Sequence, residues 1–196
     1  MLAIFSLMGL SGLHATDGYF SVGNGVLSKG VAGVGVGYHP YSLIGGNPAG
    51  QVFIGAQFDI GVGFFSPLRE YTITGAPSGM PMTFGLAPGT VESDSKLFVL
   101  PSLGANFALG SNTTWGVAIY GNGGMNTNYP SQTFGDASIS TTGVNMAQLF
   151  ANLNFSQKLG ANHALGLSVV FGYQYFEAEG LTNFGGFSMN PGKLTN

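Results

Sequence analysis

Val52-Phe53-Ile54-Gly55-Ala56-Gln57-Phe58-Asp59-Ile60-Gly61-Val62-Gly63-Phe64-Phe65 is the stretch whose reading decides the fold. Its even positions, from Val52 to Phe64, are all apolar. Its odd positions are mostly small or polar: Gly55, Gln57, Asp59, Gly61 and Gly63, with Phe53 and Phe65 at the ends. Successive strand side chains point to opposite faces, so the stretch predicts a strand with one oily face and one tight, partly polar face. Strands of soluble proteins usually run about 5–6 residues, whereas a tilted strand crossing a bilayer needs roughly 9–11. An oily outside opposite a polar inside is the order of a transmembrane barrel. The alternative is a β-sandwich strand with its even face in a core.

Composition favours lipid. Only 7% of the 196 residues are charged and 34 are glycine, while soluble domains carry about a quarter charged residues. A water-exposed surface so poor in charge aggregates, but a lipid-exposed one does not need charge. Beyond position 15 no window holds about 18 apolar residues, so a helical span is not expected. The chain has no cysteine, hence no disulfide framework and no thiolate metal site. A net charge of −3 with no Lys/Arg cluster speaks against nucleic acid as a partner.

Four more alternating segments follow, Lys96 to Ala108, Thr113 to Asn126, Gly143 to Phe155 and His163 to Phe176. Pro101 withholds a ladder donor, so a bulge or weak pairing is expected there. The third segment decays into Gly121-Asn122-Gly123-Gly124, where glycine weakens pairing and marks a kink. The connections alternate in length: Ser66–Ser95 and Thr127–Thr142 are long, Leu109–Asn112 and Ser156–Asn162 short. Outer-membrane barrels have long external loops and short periplasmic turns. Phe107, Trp115 and Phe155 then fall at the periplasmic interface, and Phe64, Tyr173 and Tyr175 at the external one. Five strands cannot close alone, because an open edge in lipid leaves backbone groups unpaired. The expectation is an all-β chain, a transmembrane antiparallel β-barrel of which residues 51–196 are the N-terminal part.

Before the strands, residues 1–15 carry an apolar run, Leu2 to Leu10, with the length of a signal-peptide core. The basic segment that normally precedes such a core is missing, so the leader is read as truncated. A short buried helix is the other reading. Residues 16–50 are glycine-rich and end in Asn47-Pro48-Ala49-Gly50. Gly33-Val34-Gly35-Val36-Gly37 lacks the Lys-Ser/Thr of a phosphate loop.

This order of leader, Gly-rich segment, Asn47-Pro48-Ala49 and long alternating strand resembles the FadL/TodX family of outer-membrane transporters for long-chain fatty acids and aromatic hydrocarbons. Gln148-Leu149-Phe150 and Phe176-Glu177-Ala178-Glu179-Gly180 are similar to that family as well. The resemblance covers the chain from Thr16 onward and about the first half of a family member. It implies a hatch at 16–50, carrying the Asn-Pro-Ala motif, inside a barrel of about fourteen strands. It also implies a kinked third strand, matched by Gly121, Gly123 and Gly124, that opens the wall sideways.

The inward face is then expected to present Phe53, Phe98, Leu100, Tyr120, Met146, Phe150, Val170 and Phe176. Such a lumen suits an apolar ligand; the same side chains would also pack against the hatch. The expected partners are a fatty acid or hydrocarbon and outer-membrane lipid, with the protein a monomer and no cofactor. Of the cations, Lys29 reaches the lumen or pairs with Asp17 or Asp59, and fatty acid versus neutral hydrocarbon stays open. His14, His39 and His163 lack a nucleophile or carboxylate constellation, so no catalytic or metal residue is assigned. The other functional readings are a general porin, a structural or adhesive barrel and, behind both, an outer-membrane enzyme.

Overall fold

A computed structural model describes residues 21–33, 46–81, 83–123, 126–187 and 194–195. A short helix, α1 (Gly25–Gly30), precedes a 3-10 helix, Pro48–Phe53, and nine strands follow. These are β1 (Gln57–Phe65), β2 (Glu70–Ile73), β3 (Gly89–Glu92), β4 (Phe98–Ala108), β5 (Thr113–Gly123), β6 (Thr127–Tyr129), β7 (Thr142–Lys158), β8 (Ala164–Glu179) and β9 (Leu194–Thr195). Between β8 and β9 lies a second 3-10 helix, Thr182–Phe187.

Seven strands make one antiparallel sheet in the order β1-β4-β5-β7-β8-β9, with β6 continuing beside β7. Short turns join the pairs β4–β5 and β7–β8, and the long connections join β1 to β4 and β5 to β7. Leu109 and Thr113 close the β4–β5 turn through a 2.8 Å backbone bond, and Leu159 and His163 close the β7–β8 turn in the same way. The β2–β3 ladder rises from the long connection after β1, where the sequence had suggested only loop. Among the described residues the sheet is not closed, and no helix is long and apolar enough to cross a membrane.

The two faces of this sheet are inverted relative to a water-soluble protein. Phe58 and Ile60 are 77% and 78% exposed, and Phe64, Leu103, Trp115, Leu153, Leu167 and Tyr173 stand exposed on the same side. On the other side Asn106 and Ser156 are 1% and 0% exposed, with Ser102, Thr114, Asn122, Asn152 and Asn154 also buried. Only Val52, Ala118 and Ala178 are buried hydrophobics among the described residues. Water drives apolar area inward at about 25 cal/mol per Å², so this distribution is opposite to the one water selects.

Three sequence expectations change. The first strand begins at Gln57, not Val52: Asn47, Pro48 and Gly55 bend residues 48–56 out of extended geometry. Pro48 supplies its fixed φ at the helix start, and Gly55 sits at φ +71°, a conformation glycine adopts freely. Phe53 therefore lies on the 3-10 helix and not on the inward row of β1. Second, of the bulge or weak pairing expected at Pro101 only weak pairing is found, on one side: the register toward β1 runs unbroken through Val62↔Pro101, and the ladder toward β5 stops at Ser102↔Tyr120. Third, β7 and β8 extend to Lys158 and Glu179, past the ends expected at Phe155 and Phe176.

Candidate functional site

The covered face of the sheet carries the site, and the 3-10 helix Pro48–Phe53 is what covers it. Asn47 is extended at φ −69°, ψ 116°, and its side-chain oxygen accepts from the Ala49 amide at 3.0 Å. Such a cap contributes about 1 kcal/mol and fixes the helix start. The helix packs on β7 and β8 and touches β5. Ser156 donates to the Ala49 carbonyl at 3.0 Å. Asn106 donates to the carbonyls of Gln51 and Gly55 at 2.9 and 2.7 Å, tying both ends of the bend to β4. At Gly166 a Cβ would fall 2.6 Å from Ala49 Cα, so only glycine lets the Asn-Pro-Ala backbone lie this close to β8. Pro48 and Ala49 thus meet the sheet at one seat made of Ser156 and Gly166, and Asn47 caps the helix start beside it.

Among the described residues four buried side-chain oxygens have no hydrogen-bond partner: Gln51 Oε1 on the helix, and Asn106 Oδ1, Thr114 Oγ1 and Asn152 Oδ1 on the covered face of the sheet. Gly116 makes room for two of them, because its Cβ would stand 2.9 Å from Gln51 Oε1 and 3.2 Å from Asn106 Oδ1. Orphaned buried acceptors weaken the contact they lie in, at roughly 1–3 kcal/mol each. Lys158 closes the lower end, its ammonium 5.0 Å from the centre of the Phe53 ring.

Further along the face, several of the apolar residues expected inside form one row. Tyr120 pairs with Phe150 across β5 and β7, their rings stacked with centroids 5.5 Å apart. Phe150 lies against the bare Gly172 of β8. Leu100 stands opposite Gly63, Phe98 opposite Phe65 and Met146 opposite Phe176. Ile54 and Tyr120 pack on Ala118. The row is partly buried and so remains accessible, except that Val170 is largely exposed and Phe53 has left it.

The glycine run sits where the wall changes partners. Gly123 pairs with Ala147 and Thr127 pairs with Val144, so β7 passes from β5 to β6 across Asn145 and Met146. Asn126 bridges this step: its side-chain oxygen accepts from the Met146 amide at 2.8 Å, and Arg69 donates to its carbonyl at 2.7 Å. Gly124 lies outside the described residues. On the other side, β4 above Ser102 and β5 above Tyr120 share no ladder, and a Cβ on Gly121 would meet Pro101 Cδ at 3.3 Å.

At the end of the sheet away from the helix seat, three connections meet. Phe84, Phe134 and Phe184 form a ring cluster with centroids 5.4–5.8 Å apart. Asp136 holds it together by accepting from the Ser138 hydroxyl at 2.5 Å, the Ser138 amide at 3.0 Å and the Thr182 amide at 3.1 Å. The same donors keep the Asp136 carboxyl well below the usual aspartate range. Among the described residues no group of three metal-ligating side chains occurs. Ser156, Gly166, Asn106 and Gln51 are site residues that sequence reasoning did not single out; small and amide side chains alternating on the inward face were their one signal.

No family model, curated protein or solved structure matches this chain.

Proposed function

We propose that the chain forms part of a transmembrane β-barrel channel of a Gram-negative outer membrane. It passes hydrophobic ligands, such as long-chain fatty acids or aromatic hydrocarbons, by diffusion past a hatch of the FadL/TodX type. The single observation that carries the reading is the inverted sheet. Its apolar face is bare, and its polar face lies under the Asn47-Pro48-Ala49 segment. Acyl chains are the solvent that stabilises such a face, and further strands pair with the open edges of β1 and β8 to close the wall.

The ligand is caught on the external connections at Phe84, Phe134 and Phe184 and descends to the row of Leu100, Tyr120 and Phe150. The hatch is seated by few bonds and several orphaned oxygens, so it shifts at modest cost. The β4–β5 seam, whose ladder ends at Ser102↔Tyr120 beside Pro101 and Gly121, then offers a sideways exit to the membrane. No energy source is involved, only a gradient.

The test is uptake in an outer membrane bearing the protein. Labelled fatty acid or hydrocarbon enters saturably, and Pro48→Ala or deletion of Asn47–Ala49 impairs entry while the barrel still assembles. Size-limited passage of hydrophilic solutes without saturable ligand binding identifies a general porin instead. An assembled barrel with neither property is structural or adhesive.

A further inference from the structure

Over Gly116, between the 3-10 helix Pro48–Phe53 and the sheet, we propose a binding site for a monovalent metal cation, sodium or potassium, held by neutral oxygens. The inference goes beyond the transport reading and needs only that this helix covers the sheet. Three oxygens converge on one point. From the place that a Cβ on Gly116 would take, Gln51 Oε1 stands at 2.9 Å, the Ala105 carbonyl at 3.0 Å and Asn106 Oδ1 at 3.2 Å. Gln51 and Asn106 are each 1% exposed, and neither side-chain oxygen has a hydrogen-bond partner.

The chain builds this convergence from separate elements. Gly116 pairs with Asn106 of β4 on one side and with Asn154 of β7 on the other. Its missing side chain leaves a gap in the middle of that row, and Gln51 closes the gap from the helix. Asn106 is fixed in orientation, because its amide nitrogen donates to the carbonyls of Gln51 and Gly55 at 2.9 and 2.7 Å. Its oxygen is therefore an acceptor and nothing else. A backbone carbonyl has two lone pairs, so Ala105 can take a ladder bond and a ligand together. Two residues along β5, on the same face, Thr114 Oγ1 is a further buried oxygen without a partner. Lys29 lies elsewhere, in the cavity between α1 and β1, and its expected partner Asp17 falls outside the described residues.

Acceptors gathered without a donor are what a hard cation takes. None of these oxygens carries a charge. Calcium sites collect carboxylates, and magnesium keeps its waters and demands octahedral geometry. A neutral set selects a monovalent ion, as carbonyl rings do in potassium channels. Affinity follows ligand charge, so binding here is roughly millimolar or weaker. The bound ion joins the helix to β4 through Gln51, Ala105 and Asn106, and the hold of the helix on the sheet rises with the concentration of that ion.

The experiment follows hydrogen exchange of residues 49–56 in the whole folded protein at constant ionic strength. Sodium, potassium or calcium chloride replaces N-methylglucamine chloride. Sodium or potassium slows exchange saturably, about tenfold when the ion stands at about ten times its dissociation constant, and the one that saturates first is the occupant. Equal exchange in N-methylglucamine and in both alkali ions overturns the site and leaves these oxygens to water. Protection by calcium at a lower concentration than either alkali ion overturns the monovalent assignment. Two variants separate the ion from a turned Gln51 amide, whose nitrogen would donate to Asn106 Oδ1. Gln51→Glu puts a carboxylate on the ion and lowers half-saturation about tenfold; faster exchange at every salt overturns the proposal in favour of the amide bond. Gly116→Ala fills the gap and removes the ion dependence; a dependence that survives places the ion elsewhere and overturns the site. Should either variant fail to fold by circular dichroism, the parent's ion series alone decides. Saturable ligand import by a parent that shows no ion dependence keeps the transport reading while this site falls.

Discussion

Two seams of the wall are built differently. β7 and β8 stay in register from Gly143↔Glu179 to Lys158↔Ala164. β4 and β5 stay in register only from Ala108↔Thr114 to Ser102↔Tyr120 and share no ladder beyond that pair. The first seam carries the 3-10 helix that starts at Asn47-Pro48-Ala49, seated on Ser156 and Gly166. The second lies beside α1 and a cavity lined by Lys29, Ser102 and Pro101. The contrast teaches that the covering segment sits where pairing is unbroken. On the transport reading, that seam is the rigid one, and the ladder that ends at Pro101 and Gly121 is the place to test for yielding.

The largest effect is expected at the rigid seat. Gly166→Leu drives its side chain into the Ala49 backbone, which cannot retreat without lifting the helix. Limited proteolysis should then cut within residues 46–56, and small hydrophilic solutes should leak through the assembled barrel. An unaltered digest would break the assignment of this seam as the seat. Ile60→Lys tests the medium that both seams need. On the transmembrane reading a lysine on this bare face should cost about 2–4 kcal/mol in vesicle unfolding experiments; a soluble, stable variant would mean that the face is not in lipid.

The yielding seam is tested by repairing it. Pro101→Val restores a donor where the β4–β5 ladder ends. Stability should rise by about 0.5–1.5 kcal/mol per added ladder bond, and ligand import should fall. A rise in stability with unchanged import would detach the seam from transport. Asn126→Ala should cost about 1 kcal/mol by orphaning the Met146 amide, read as faster hydrogen exchange around Met146.

The smallest effect concerns the external connections. Asp136 has a folded pKa below its unfolded value near 4. Its contribution is therefore present above that range and is lost as pH falls through the lowered folded value. Residues 130–141 and 182–187 should stay protected from hydrogen exchange at pH 5 and lose protection only in strong acid. Asp136→Asn should show that loss at neutral pH.

Much of this architecture was legible in the residues. Alternation over Phe58–Phe65, Phe98–Ala108 and Thr113–Gly123 fixes which side chains share a face, because strand geometry is strictly two-fold. The low charge and the alternation of long and short connections were likewise readable. The glycine run after Tyr120 predicted a weak point without saying which strand would part from which. Val52 to Ala56 misled, since its apolar alternation continues that of β1 although the backbone there is a 3-10 turn. Local capping by Asn47 and Pro48 and the positive φ of Gly55 outweighed the pattern.

What the sequence by itself determined was the inverted, two-faced character of the strands, because side-chain direction follows from position along an extended chain. What only the tertiary structure decided was where distant segments meet: Ala49 on Gly166, Gln51 beneath Gly116, and Lys29 over Gly63. Those contacts depend on register and on the absence of a Cβ at one point in space. No single stretch of residues encodes either.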